Sequence, residues 1–239
     1  MITNLSIYFL LFIIYAMIGW ILETIYTLIT DKVLSNRGFL IGPICPIYGV
    51  GAVSVVFFLS KYATHPVALF ILAIAICSVL EYFTSYIMEK LFKARWWDYS
   101  NNKYNINGRI CLETMIPFGL IACLLVYVIN PFFQGLLEQV PTNVLQITAL
   151  IIGIILLIDI ATSFGIVNNF KKTVKKVTME DRTEDINKYI KNIISQKSVF
   201  HRRLIKAFPK IQTTFENIKK KIPNKLKKGD TIAVIAPSN

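Results

Sequence analysis

Long apolar runs separated by short polar stretches dominate the first two thirds of the chain, at residues 5–29, 40–60, 66–88, 110–130 and 144–167. Each approaches the ~20 residues that an α-helix needs to cross the ~30 Å hydrocarbon core. A soluble domain exposing such runs would aggregate. The pattern therefore predicts an all-α, polytopic membrane bundle of five transmembrane helices. The second run is the irregular one: residues 46–59 are continuous but short, and the span reaches full length only if residues 38–45 also sit at membrane depth. That stretch contains Gly38, Gly42, Pro43 and Pro46, with Tyr48 and Gly49 just beyond. Such a density of glycine and proline rules out an unbroken helix. Two readings stand: a tight turn with proline near the start of a helix, or an interrupted helix of the kind that builds binding sites in transporters. Non-helical backbone in hydrocarbon needs cover from protein or from a water-filled cavity.

Acids inside the spans are few, and each costs on the order of 2.5–3.5 kcal/mol at a helix centre on insertion scales. Glu23 shares a helical face with Gly19 and Tyr26 in the first span. The third span carries Ser78, Glu81, Ser85 and Glu89 at three-to-four spacing, which makes one polar stripe. Glu113 falls near the start of the fourth span, and Asp159 lies in the fifth with Thr162 and Ser163 a turn beyond. One reading is a structural network in which the acids pair with Arg37 and Arg109 or share protons. The other is a polar cavity on a substrate path, lined by Glu23, Glu81, Asp159, Glu113, Arg37, Arg109 and Asp98. Asp98 and Arg109 belong to an amide-rich linker between the third and fourth spans, opening on Arg95-Trp96-Trp97. Aromatic residues beside basic ones anchor ordinary membrane interfaces. The surrounding amides point further, to a loop ordered against the mouth of the bundle.

Charge separates the two ends of the chain. Residues 1–167 hold eight Lys/Arg and eight Asp/Glu, whereas residues 168–239 hold eighteen against six, so the net +12 belongs to the tail. With the tail inside, every basic residue but Lys61 falls on the cytoplasmic side. The positive-inside rule then predicts a multi-pass cell-membrane protein with its N-terminus outside and its C-terminus in the cytoplasm. Apolar residues at helical spacing predict amphipathic helices at about 183–200 and 209–222. Phe208, Ile211 and Phe215, with Lys219, Lys220 and Lys221, make a surface for anionic inner-leaflet lipids. A short coiled coil with a second copy competes with that reading. No nucleic-acid partner is expected, since no recognised binding motif accompanies the charge. The four cysteines lack paired spacing and sit in apolar surroundings, and His65 and His201 lie far apart. No metal site, cofactor or cleavable signal peptide is expected.

Several dispersed motifs occur in a recognisable order: Gly19-Trp20 with Glu23, Arg37-Gly38 through Gly42-Pro43, Pro46-Ile47-Tyr48-Gly49, Glu81, Trp97-Asp98-Tyr99-Ser100 and Asn107-Gly108-Arg109-Ile110. Over residues 8–165 they make the chain resemble the type IV ABC-transporter permease family, the CmpB-like integral membrane proteins. The resemblance implies a transporter-like subunit and carries over no catalytic residue. The sequence contains no Gly-x-x-x-x-Gly-Lys-Ser/Thr phosphate loop. An ATPase subunit would therefore be a separate chain, and five spans favour a homodimer. Residues 226–238 resemble the opening strand of LD-carboxypeptidases. One strand makes no hydrolase core, and no peptidase activity is expected of it. The function read first is thus a permease-like subunit for a small solute or lipid. A membrane-embedded enzyme on a lipid-linked substrate and a non-catalytic scaffold with a lipid-binding tail follow.

Overall fold

Leucine, isoleucine and phenylalanine without a helix breaker give the first element, α1 (Ile2–Asp31), in the computed structural model, which describes residues 2–32, 38–92 and 97–180. The hydroxyls of Thr24, Thr27 and Thr30 donate to the carbonyls of Trp20, Glu23 and Tyr26, so these polar groups are satisfied within the helix. A non-helical segment of bends, residues 38–45, leads into α2 (Pro46–Leu59), a 3₁₀ turn (Ser60–Tyr62) and α3 (Pro66–Phe92). A two-stranded antiparallel hairpin, β1 (Asn105–Ile106) and β2 (Ile110–Cys111), precedes α4 (Leu112–Leu124). A π-turn (Leu125–Ile129) joins α4 to α5 (Asn130–Glu138), and α6 (Thr142–Glu180) ends the described chain.

Among the described residues, four helices are long and apolar enough to cross a membrane: Asn4–Thr30, Pro66–Leu91, Leu112–Glu138 and Thr142–Ile166. The second of the five expected spans differs from the other four. Its helix has 14 residues, about 21 Å of rise against a core of about 30 Å. Pro46 occupies the first turn of α2, where its missing N–H costs nothing, and residues 38–45 before it are not helical. The fourth span also departs from expectation, continuing to Glu138 instead of stopping near 130. Pro131 removes the N–H that would bond the Tyr127 carbonyl, and the π-turn absorbs that break without ending the helix.

Cys45 shows where the interrupted segment sits. Its N–H donates to the carbonyl of Ala16, at the midpoint of α1, at 3.0 Å. By Cys45 the chain has therefore returned to the midpoint of α1 before α2 begins. From there α2 runs antiparallel to α1, with Tyr48 over Gly19, Gly49 against Phe12 and Phe57 edge-on to Tyr8. Leu40, in the non-helical segment, is completely buried. This is the protein cover that irregular backbone needs at such depth.

Two ends of the bundle can now be distinguished. Toward the far end, Leu11, Tyr15, Val55, Val56, Leu59, Leu69, Ala73 and Ala122 form the apolar core. Toward the other end the β1–β2 hairpin closes over α3. α1 is the most enclosed crossing helix, with 39% of its apolar window buried, and α6 the least, with 6%. α6 thus presents nearly its whole circumference outward, with Ile147, Ile151, Ile154 and Ile158 among its exposed residues.

Candidate functional site

The site grows from a missing side chain. A Cβ on Gly19 would stand 2.3 Å from the Tyr48 ring, so only glycine lets that ring lie flat on α1. One turn further along, Glu23 accepts the Tyr48 hydroxyl at 2.6 Å through Oε1. Phe118 of α4 packs edge-on to Tyr48 and fixes its ring from the other side.

A second tyrosine–carboxylate pair sits nearby. Tyr99, from the linker, donates its hydroxyl to Oε1 of Glu81 at 3.2 Å. Burial, and then the Glu81 carboxylate, hold the Tyr99 phenol well above its ordinary range, so it serves as a donor. Tyr99 lies within electrostatic reach of Glu23 as well as Glu81, which joins the two pairs into one cluster. Glu81 is 6% exposed, and its Oε2 meets no hydrogen-bond partner among the described residues. The same holds for Oγ of Ser78, one turn away on α3.

Below the cluster the polar stripe of α3 is capped by the linker. Arg109 reaches Oγ of Ser85 at 3.2 Å and Oε2 of Glu89 at 2.7 Å, with its guanidinium against the rings of Tyr82 and Tyr86. The Asn107 side-chain amide donates to the Tyr82 hydroxyl. Asn107 and Gly108 both adopt positive φ in the hairpin turn, which Arg109 closes by donating its N–H to Ile106. The indole of Trp97 donates to the Arg109 carbonyl, and the Tyr99 N–H to that of Gly108. Residues 97–111 of the linker are therefore an ordered cap over α3, and Arg109 is its pin.

Asp159, Glu113 and Asp98 make their contacts apart from this cluster. Asp159 accepts the N–H groups of Ile41 and Gly42, one on each oxygen at 2.8 Å, and also the Ser163 hydroxyl. A Cβ on Gly42 would stand 2.9 Å from that carboxylate, so glycine admits it. Asp159 thus satisfies the backbone of the interrupted segment, and among the described residues no hydrogen bond joins it to Glu23 or Glu81. Glu113 is exposed and holds the Asn102 amide at 2.6 Å. Asp98 caps its own turn by accepting from the backbone and side chain of Ser100. Gly38 is buried, Pro43 is exposed, and Pro46 opens α2. Arg37 lies outside the described residues, as do Phe208, Ile211, Phe215, Lys219, Lys220, Lys221 and both tail helices.

The tyrosine donors were the part that spacing did not single out. Tyr99 and Tyr48 lie in motifs read for their glycines and acids, and a tyrosine in an apolar chain gives no signal of the carboxylate it will meet. A second polar chain was also missed: Tyr15 donates to Asn130 at 2.8 Å, Asn130 to Gln134, and Gln134 to Glu138, toward the far end. Cys45, Cys77, Cys111 and Cys123 are all free thiols, and no three His, Cys, Asp or Glu converge among the described residues.

Helices of this length and apolarity, around a half-length helix and a buried carboxylate cluster, define a multi-pass α-helical membrane protein. Residues 10–164 match the family described as "Putative ABC-transporter type IV" (CmpB), and the chain belongs to that family. No curated protein and no solved structure matches it. The likeness of residues 226–238 to LD-carboxypeptidases falls beyond the matched range and has no support from these comparisons.

Proposed function

We propose that the chain is the permease-like membrane subunit of a transporter for a small solute or lipid, and that the Glu23–Tyr48–Tyr99–Glu81 cluster lies on the solute's path. One observation carries this reading. A bundle with only apolar demands would not enclose two carboxylates beside the floor of a half-length helix, one of them with an unsatisfied oxygen. The π-turn and the polar chain from Tyr15 to Glu138 add a hydrophilic route on the far side of the apolar core. Asp159, Glu113 and Asp98 are accounted for by the local contacts they make, so the path is assigned to Glu23 and Glu81 with Arg109 at its mouth.

On this reading ATP is hydrolysed by a separate chain that docks at the hairpin end. The distribution of basic residues favours that end as cytoplasmic, with the basic tail on anionic lipid and a second copy completing the transporter. The test is to purify the tagged chain from its native membranes in mild detergent and assay the captured material for ATP hydrolysis. An associated ATPase whose turnover falls in Glu23→Gln and Glu81→Gln, with folding intact, supports the proposal. Absence of an ATPase, or turnover indifferent to both changes, overturns it.

A further inference from the structure

Two buried oxygen atoms are left over in the polar cluster. Oε2 of Glu81 and Oγ of Ser78 have no described partner, although their residues are only 6% and 8% exposed. They stand three residues apart on α3 and so share one helical face, at about 5–6 Å between Cβ atoms. The neighbouring donors are engaged elsewhere. The Tyr99 hydroxyl goes to the other oxygen of Glu81, the Tyr48 hydroxyl to Glu23, and the Arg109 guanidinium to Ser85 and Glu89. Unmatched acceptors in an apolar bundle are costly, and an ionised one far more so.

The chemistry of these two oxygen atoms narrows what they would bind. A water would satisfy hydrogen bonds without offsetting the carboxylate charge, and Glu81 also lies within electrostatic reach of Glu23. A positive ligand answers both needs. A divalent ion is poorly matched, because calcium takes about six to eight oxygens, magnesium demands an octahedron, and no three acids converge here among the described residues. A bulky organic cation is poorly matched too, since the ring of Tyr48 already lies flat on Gly19 and Ser78 is buried. A carboxylate and a hydroxyl oxygen are hard donors, which favour a hard metal ion, and the one carboxylate with an unmet oxygen balances a single charge.

We propose that Glu81 and Ser78 bind a small monovalent metal cation of the sodium class, with the Tyr99 hydroxyl beside it. The proposal rests on the preceding reading of this cluster as a solute site, and it names the solute handled there. It is tested on the full chain in lipid nanodiscs without any ATPase. Thermal unfolding is followed in sodium chloride and in choline chloride at equal ionic strength, alongside retention of radioactive sodium. A ligand that binds only the folded state raises the transition temperature saturably. Sodium should do so where choline does not, and both Glu81→Gln and Ser78→Ala should lose the increment while keeping their helical circular dichroism. Should Glu81→Gln fail to fold, Ser78→Ala carries the test, since it removes only an uncharged oxygen. No sodium-specific increment in the unsubstituted chain overturns the proposal, as does an increment that survives Ser78→Ala. A transition temperature that follows pH but not sodium gives Glu81 a proton and overturns it equally. ATPase association without any sodium effect sinks this inference alone. Sodium binding without an ATPase sinks the transporter-subunit reading and leaves the cation site standing.

Discussion

Toward the far end of the bundle, Leu11, Val55, Leu69 and Ala122 pack as an apolar core, whereas toward the hairpin end α1 meets α2 through Glu23 and Tyr48, and α3 meets the linker through Glu81, Ser85 and Arg109. The difference lies in what holds each half. Lipid is as apolar as leucine, so burying leucine among helices gains little beyond close packing, and the far half depends on shape. The hairpin half depends on satisfying polar groups, since any donor or acceptor left unmet there has no water to turn to. One half tolerates polarity changes poorly and the other tolerates volume changes poorly. Substitutions can separate the two.

The largest effect is expected from Gly49→Leu. A Cβ there would meet the Phe12 carbonyl oxygen at 2.6 Å, and backbone cannot swing aside as a side chain can. α1 and α2 must part, at a cost of about 3 kcal/mol or more. The checks are folded yield and thermal unfolding in detergent, and a stable, monodisperse Gly49→Leu protein would show that the close approach of these helices is dispensable.

Asp159→Leu should come next. It strands the Gly42 N–H, at about 1–3 kcal/mol for an unsatisfied donor, leaves the Ile41 N–H with the Ser163 hydroxyl at 3.2 Å, and loosens the interrupted segment from α6. Asp159→Asn keeps one acceptor oxygen and should lose about half as much. Amide hydrogen exchange at residues 40–42 reads the release directly. Unchanged protection in Asp159→Leu would mean that the segment is held by something other than this carboxylate.

Leu69→Ala probes the opposite half. Leu69 is fully buried, and truncation should cost about 2–5 kcal/mol with a cavity left behind. The polar cluster is untouched, so under the proposed transporter reading ATPase coupling measured well below the transition temperature should remain. Coupling that disappears while the protein is still folded would show that the two halves act as one unit.

These contrasts also show how far the sequence could be read. The membrane class and the long helices follow from run length, because hydrocarbon thickness leaves little choice. The stripe from Ser78 to Glu89 was visible because helical period alone puts those residues on one face. The interruption before Pro46 was visible too, since proline and glycine act locally. What the local pattern left open was the partner of each polar group. Asp159 reads as a buried acid in sequence, and only the return of residues 41 and 42 across 118 and 117 positions turns it into a backbone clamp. The helix beyond residue 130 was concealed by Asn130-Pro131, which looks like a stop and is accommodated by a π-turn.

Tyr99→Phe should give the smallest effect and the most specific one. The substitution keeps the ring and deletes the hydroxyl that Glu81 accepts, so the cost is about 1–3 kcal/mol, the range for removing one partner of a buried hydrogen bond. Its pH dependence distinguishes it from a packing defect. Burial, then Glu81, raise the phenol above its ordinary 10.0, so the folded state favours the neutral form. A group raised in this way contributes stability that is fully present below the unfolded value and is lost as pH climbs toward the folded one. The stability gap between the unsubstituted chain and Tyr99→Phe should therefore be constant up to about pH 9 and shrink above about pH 10. Titrating groups out of reach of Tyr99 are common to the two proteins and cancel in the difference. Chemical unfolding of both across that range supplies the measurement. A gap that stays constant through the alkaline limb would mean that Tyr99 ionises as it does in the unfolded chain, and that the linker does not hold it as a buried donor to Glu81.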